Sequence, residues 1–280
     1  METKRMSNQR SKEQLLEAYE IEKELAAKLR NASSDERLVL YTSLYDELFR
    51  RLPDHPQLTH KKSLKKQKIV AENKLKMINH FLKSDTTFLE IGPGDCSFSF
   101  AVTRLVKQVY AVDVSETLTK NNDIPDNFQL IISNGSSIPV PVNSIDVAYS
   151  NQLMEHLHPD DALEQLKNIF NVLKPGGSYI CITPNRLTGP HDISKYFDTI
   201  ATGFHLKEYT ARELKDLFKM IGFRKTCFSI GLRGHYIRVY PFILIMFENL
   251  ISMIPDKLRR VVLSSTPIKF LLNIQLIGIK

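Results

Sequence analysis

Apolar and polar positions along this chain follow two different periods. Up to residue 85 the recurrence is helical. Residues 13–29 are rich in Glu, Ala, Leu and Lys. Leu38, Tyr41, Leu44, Tyr45, Leu48 and Phe49 fall near helical spacing. They predict a second helix with Asp35 as its cap, ended by Pro53 and Pro56. Ile69, Leu75, Ile78 and Phe81 predict a third over 68–82. Beyond residue 85, short apolar runs alternate with helical stretches. Strands are expected at 88–91, 108–114, 128–133, 145–150, 178–183 and 223–230. Helices are expected at 97–106, 160–173 and 210–221, the last opened by a capping box of Thr210 and Glu213. The alternation predicts an α/β fold, a parallel sheet with helices on both faces. The domain reading is a helical cap over 1–85, a core over 86–231 and an apolar C-terminal appendage over 232–280.

Composition narrows this picture modestly. With 42% apolar and 25% charged residues, the chain is an ordinary soluble globular type. The net charge is +7, and most of the basic excess lies ahead of residue 86, notably at Lys61, Lys62, Lys65, Lys66 and Lys68. A solvated helix or linker explains that run, so nucleic acid is not the expected partner. Cys96, Cys181 and Cys227 are far apart and lack metal-ligand spacing, so no metal is expected. Buried thiols and a polar N-terminus predict a cytoplasmic protein. The apolar stretch 240–254 is interrupted by Glu248 and is shorter than a membrane span. It predicts a final strand plus helices on the core, or else a lid, a dimer face or a peripheral membrane contact. Lys257, Arg259 and Arg260 follow it.

The chemistry concentrates at Leu89-Glu90-Ile91-Gly92-Pro93-Gly94-Asp95-Cys96. An apolar strand carrying an acid runs into two glycines one residue apart, then into a helix. Glycine permits the sharp turn and lets a ligand approach the main chain. This is how a parallel sheet builds a nucleoside pocket at the carboxyl end of its first strand. The dinucleotide fingerprint G-x-G-x-x-G is incomplete, because Ser97 occupies its sixth position. An acid beside the loop also opposes a pyrophosphate and tolerates a donor carrying an amine and a sulfonium. Asp113 ends the second strand about 20 residues past the loop, where a carboxylate accepts from both ribose hydroxyls.

Further motifs follow in order: Val112-Asp113-Val114-Ser115, Ser133-Asn134-Gly135-Ser136, Ser144-Ile145-Asp146 through Ser150, Met154-Glu155-His156, Leu173-Lys174-Pro175-Gly176-Gly177, and His205-Leu206-Lys207-Glu208-Tyr209. With them the chain resembles the class I S-adenosylmethionine-dependent methyltransferases of the small-molecule type, over roughly residues 83–230. The resemblance implies a doubly wound, Rossmann-like, seven-stranded sheet with S-adenosylmethionine as cofactor. It implies cofactor contacts from Glu90, Gly92, Gly94, Asp113, Asn134, Gly135 and Ser150. Asn134 stands where the family usually has Asp, and Cys96 replaces its third glycine. Glu90 is either a partner for the cofactor amine or a cap for the glycine turn.

His156 follows the fourth strand, on the rim where acceptor and methyl group meet. It is the candidate base; local hydrogen bonding is the plainer role. His191, His205 and Tyr209, with Asp192 and Tyr196 of the long segment 187–203, are candidate acceptor contacts. Tyr41 and Tyr45 either close over the cofactor or pack in the core. The expected reaction is O-methylation of a small, partly apolar metabolite. RNA methylation, a nicotinamide-dependent reductase and a non-catalytic binding module of the same fold are the alternatives.

Overall fold

The computed structural model describes residues 10–55, 64–115, 124–232, 235–255, 258–259, 263 and 271–280. Pro56, Lys61, Lys62, Lys257 and Arg260, singled out above, lie outside these, and the side chains of Lys65 and Lys66 are likewise not described.

Helix α1 (Lys12–Asn31) and helix α2 (Ser34–Arg51) each start in a full capping box, Ser11 with Gln14 and Ser33 with Glu36. Ser33, not Asp35, is therefore the cap of α2; Asp35 lies in the first turn, where an acid favours the helix dipole. Helix α3 (Leu64–Ile78) passes into a short 3-10 turn at Asn79–Phe81. Strands β1 (Thr87–Ile91), β2 (Gln108–Asp113), β3 (Phe128–Ile132), β4 (Ile145–Asn151) and β5 (Leu173–Thr183) pair in parallel. Between them run α4 (Ser97–Thr103) and α5 (Pro159–Val172). Helix α6 (Ala211–Ile221) begins at the expected Thr210–Glu213 capping box and stops at left-handed Gly222. Strand β6 (Lys225–Leu232), strand β7 (His235–Val239), helix α7 (Pro241–Ser252) and strand β8 (Ile274–Ile279) complete the chain.

Among the described residues the sheet has eight strands in the order β3-β2-β1-β4-β5-β8-β6-β7, not the seven expected. The additional strand is β7, an edge strand that turns back antiparallel on β6. The C-terminal residues correct a second expectation. Strand β8 is inserted antiparallel between β5 and β6, so the end of the chain is interior sheet and not an appendage. Ile274 and Leu276 are fully buried there. Their apolarity is the signature of a strand covered on both faces.

Helix α7 carries the rest of the apolar tail. Leu244, Ile245 and Ile251 face the core, whereas Phe242, Ile243, Met246 and Leu250 remain outward. Glu248, the acid that interrupts this stretch, is buried and accepts the Ala211 and Arg212 N–H groups and Asn185 Nδ2. It fills the orphan donors at the start of α6. Among the described residues no helix is long and apolar enough to cross a membrane.

Candidate active site

The strand order reverses at β1, with β2 on one side and β4 on the other. Open α/β sheets bind ligands at such a switch point, beyond the carboxyl ends of the strands. Two glycines of the β1 loop adopt left-handed backbone, Gly92 at φ +67° and Gly94 at φ +59°. No atom lies within 4 Å of where a Cβ on Gly94 would stand, so the loop presents open backbone there. Asp113 closes the same corner from β2. Its Oδ1 accepts from the Val114 and Ser115 N–H groups, and its Oδ2 lies 3.4 Å from Gly94 N. Burial raises the Asp113 carboxyl above its ordinary range, against the pull of those three N–H groups.

Cys96 departs from the pattern in identity but not in conformation. It is buried and left-handed, at φ 54° and ψ 8°, the backbone a glycine adopts without strain. An L residue there carries about 1–2 kcal/mol of strain. Cys96→Gly is therefore expected to be more stable than Cys96→Ala by about 1 kcal/mol, the reverse of their order in a helix interior. Denaturant midpoints of the two variants measure this.

Glu90 points to the α4 side of the sheet and is 1% exposed. Its Oε2 accepts from Ser99 Oγ at 2.5 Å. Burial pushes its carboxyl up to about 7, with Lys74 opposing. Through Ser99, Glu90 fastens the first strand to the helix after the loop.

At the third strand's exit the geometry differs from expectation. The Asn134 side-chain oxygen already accepts the Ser136 and Ser137 N–H groups at 3.2 and 2.9 Å. It therefore caps its own turn and is not a free acceptor for an adenine amino group. Gly135 has φ +96°, and Tyr41 covers it so closely that a Cβ would meet the ring at 3.1 Å. Ser150 is buried, with its hydroxyl 2.7 Å from Tyr179 Oη, and serves the sheet interior instead of the pocket surface.

Tyr41 belongs to a buried network. Its hydroxyl donates to Asp161 Oδ2 at 2.7 Å and accepts from His158 N at 2.8 Å. Arg37 reaches Asp161 through Nε at 2.6 Å and a second nitrogen at 2.8 Å, with both side chains 5% accessible. The network fastens α2 to α5 beside Gly135, so the N-terminal helices sit over the carboxyl edge of the sheet.

One turn further along α2, Tyr45 stacks on Phe204 at 5.2 Å. Its hydroxyl lies 3.5 Å from His156 Nδ1. His156 Nδ1 is also 3.1 Å from Phe204 O, and a carbonyl only accepts, so Nδ1 carries the proton. Burial, with His205 nearby, depresses the His156 imidazole to about 3. It stays neutral across the physiological range and is a weak base.

His205 has the opposite character. Its ring stands edge-on to His156 at 4.8 Å, and its Nδ1 lies 2.7 Å from Glu208 Oε1. Burial disfavours its charge, but Glu208 and Glu155 outweigh that and hold its pKa above the usual value. Glu155 is wholly buried; its Oε2 accepts from Thr183 Oγ1 at 2.9 Å.

His205 and Glu208 also line a small cavity of about 190 Å³, with Arg186, Pro190, Ile200 and Lys207. Residues 187–203 form one wall and are held by α1. Arg30 donates to the Thr202, Gly203 and His205 carbonyls, and Tyr19 stacks on Phe197. His191 is tied down locally: its Nε2 is 2.9 Å from Thr188 Oγ1 and its N–H donates to Glu208 Oε1. Tyr209 is 1% exposed and packs in the core, so it does not reach the cavity. Of the three acceptor candidates only His205 is both part of the polar cluster and part of the cavity wall. Glu155 and Glu208 join this cluster only through folding, although each lies in a motif noted above, directly beside His156 and Tyr209.

Residues 89–181 match the family model of a methyltransferase domain. A probable S-adenosylmethionine-dependent methyltransferase of Mycolicibacterium smegmatis is 31% identical over 136 residues, covering 48% of this chain and 51% of that protein. A probable S-adenosylmethionine-dependent methyltransferase of Mycobacterium tuberculosis matches equally, over 47% of its length. The chain thus spans about half the length of the curated relatives it matches. Among solved structures, a possible histamine N-methyltransferase of Thermotoga maritima superposes with a TM-score of 0.53 at 14% identity, covering 83% of this chain and 98% of that one. A putative methyltransferase solved with the Haloferax volcanii Trm112 activator gives 0.52 at 15% identity, covering 78% and 94%. At such identities these two show a shared fold.

Proposed function

Since residues 89–181 carry a methyltransferase domain whose relatives are S-adenosylmethionine-dependent methyltransferases, we propose that this chain transfers a methyl group from S-adenosylmethionine to a hydroxyl of a small, partly apolar molecule. The observation that carries the donor assignment is the open left-handed Gly94 with the Asp113 carboxylate against its N–H. That corner fits a nucleoside bearing no phosphate: Asp113 takes the ribose hydroxyls, and Gly92 and Gly94 let the donor lie on the backbone. The bound donor supplies an already activated methyl group, so the chain's task is positioning and exclusion of water. Tyr41 and Tyr45 of α2 contribute the covering surface.

The acceptor enters the cavity beside His205. Ile200 and Pro190 offer apolar contact, and Arg186 and Lys207 set its polar rim. His205, oriented by Glu208, is the group we place against the acceptor hydroxyl; His156 shapes the rim. The outward apolar face of α7 is compatible with a peripheral membrane contact and an apolar acceptor.

Calorimetry with S-adenosylhomocysteine and NADH, then labelled-methyl transfer onto fractionated metabolites and RNA, tests this reading. Saturable binding of S-adenosylhomocysteine and label in a small hydroxyl compound are expected. Binding of NADH alone, or label only in RNA, overturns it.

A further inference from the structure

Glu155, His156 and His205 each offer one ligand atom, and these atoms lie within 4.8 Å of one another. We propose that the three side chains form a binding site for a divalent transition-metal ion at the wall of the acceptor cavity.

The argument rests on how each residue's other polar atom is engaged. His156 donates Nδ1–H to the Phe204 carbonyl, which leaves Nε2 with a lone pair. His205 pairs through Nδ1 with Glu208, so once a metal displaces the second ring proton its Nε2 has the same lone pair. Metal-bound histidines characteristically give their second ring N–H to a backbone carbonyl or a carboxylate, and here both do. Glu155 repeats the pattern with oxygen. Thr183 fixes Oε2, while Oε1 is buried without any hydrogen-bond partner. A buried acceptor left unsatisfied is costly, and a cation removes that cost.

Two imidazoles and one carboxylate suit Mn²⁺, Fe²⁺, Co²⁺ or Zn²⁺ better than Mg²⁺ or Ca²⁺, which prefer oxygen. Donor atoms around such an ion stand about 3.3 Å apart. Closure therefore needs at most about 1.5 Å of approach between any two of the donor atoms. Three protein ligands leave positions open, and His205 puts them at the cavity. With the ion bound, His205 acts on the acceptor through the metal and no longer by direct contact: a hydroxyl bound to the ion ionises more readily, its proton passing to water. That last role rests on the methyltransferase reading; metal binding itself does not.

The probe is Co²⁺ titrated into the chelator-treated full chain and followed by visible absorption. One equivalent is expected to bind, with ligand-field bands and no thiolate charge-transfer band. His205→Asn should abolish saturation. Glu208→Gln, which removes only the orienting carboxylate, should weaken binding roughly 10–100-fold. Asp113→Ala should bind Co²⁺ normally while losing S-adenosylhomocysteine, which separates this site from the donor assignment. If a variant fails to fold, Zn²⁺ titration of wild type by histidine NMR decides: His156 and His205 signals must move together. No saturable binding, a thiolate band, wild-type titration by folded Glu208→Gln and His205→Asn, or movement of other histidines only, overturns the proposal.

Discussion

Asp113→Ala is expected to weaken S-adenosylhomocysteine binding by about 100- to 1,000-fold. A carboxylate accepting from two ribose hydroxyls makes two charge-assisted hydrogen bonds, each about 1.5–3 kcal/mol. Losing both would give about 3–6 kcal/mol, and because Asp113 already shares its oxygens with three backbone N–H groups, the lower part of that span, about 3–4 kcal/mol, sets the range in affinity. The same carboxylate orders the loop by accepting from Val114 N at 2.7 Å and Ser115 N at 3.3 Å, and by approaching Gly94 N at 3.4 Å. Alanine removes this preorganisation too, so the upper part of the range is the better expectation. Asp113→Asn keeps one acceptor oxygen and should lose roughly tenfold. Calorimetry with S-adenosylhomocysteine measures both without turnover. Unchanged affinity in the alanine variant would remove the ribose assignment.

Asp161→Ala is expected to destabilise the fold by about 3–5 kcal/mol, because it strands the buried Arg37 guanidinium. Arg37 would keep only its bond to the Ala32 carbonyl at 2.8 Å. Tyr41 would lose its acceptor and, with it, the bond that holds its ring over Gly135. Tyr41→Phe, which removes one hydroxyl, should cost about 1 kcal/mol. The pH dependence has a definite sign. Burial raises the Asp161 carboxyl, but Arg37 and Tyr41 outweigh it and hold the pKa below its ordinary value. A group depressed in the folded state contributes its stability above its unfolded pKa, about 4, and loses it as pH falls through the lower folded value. The difference between wild type and Asp161→Ala should thus be constant near neutrality and shrink below about pH 4. Urea midpoints across that window test it; a gap that widens on acidification would contradict the assignment.

Local periodicity and motif spacing mark the corner we propose for the donor because its parts are close in sequence to strand ends. Gly92 and Gly94 lie in the loop directly after β1 and Asp113 is the last residue of β2, and strand ends are what alternation between periods two and 3.6 marks. The Thr210–Glu213 box was equally legible, since a cap is a contact three residues long. Asn134 and Ser150 were harder. Whether a short polar side chain faces a ligand, its own turn or a neighbouring strand depends on a rotamer and a partner such as Tyr179, 29 residues away.

From the sequence alone came the fold class, the glycine loop and the acid that closes its corner, because backbone conformation and strand termination are local properties. Tertiary structure decided everything made by long-range closure. It put the C-terminal strand β8 inside the sheet, since an apolar run carries no information about which edge it joins. It fixed α2 over the pocket through Arg37 and Asp161, 124 residues apart. It also separated two histidines that look alike in the sequence: His156 is kept neutral by burial and a carbonyl, while His205 is biased toward charge by Glu208 and Glu155. A histidine's chemistry is set by the dielectric and the charges around it, and those come from parts of the chain that only folding brings together.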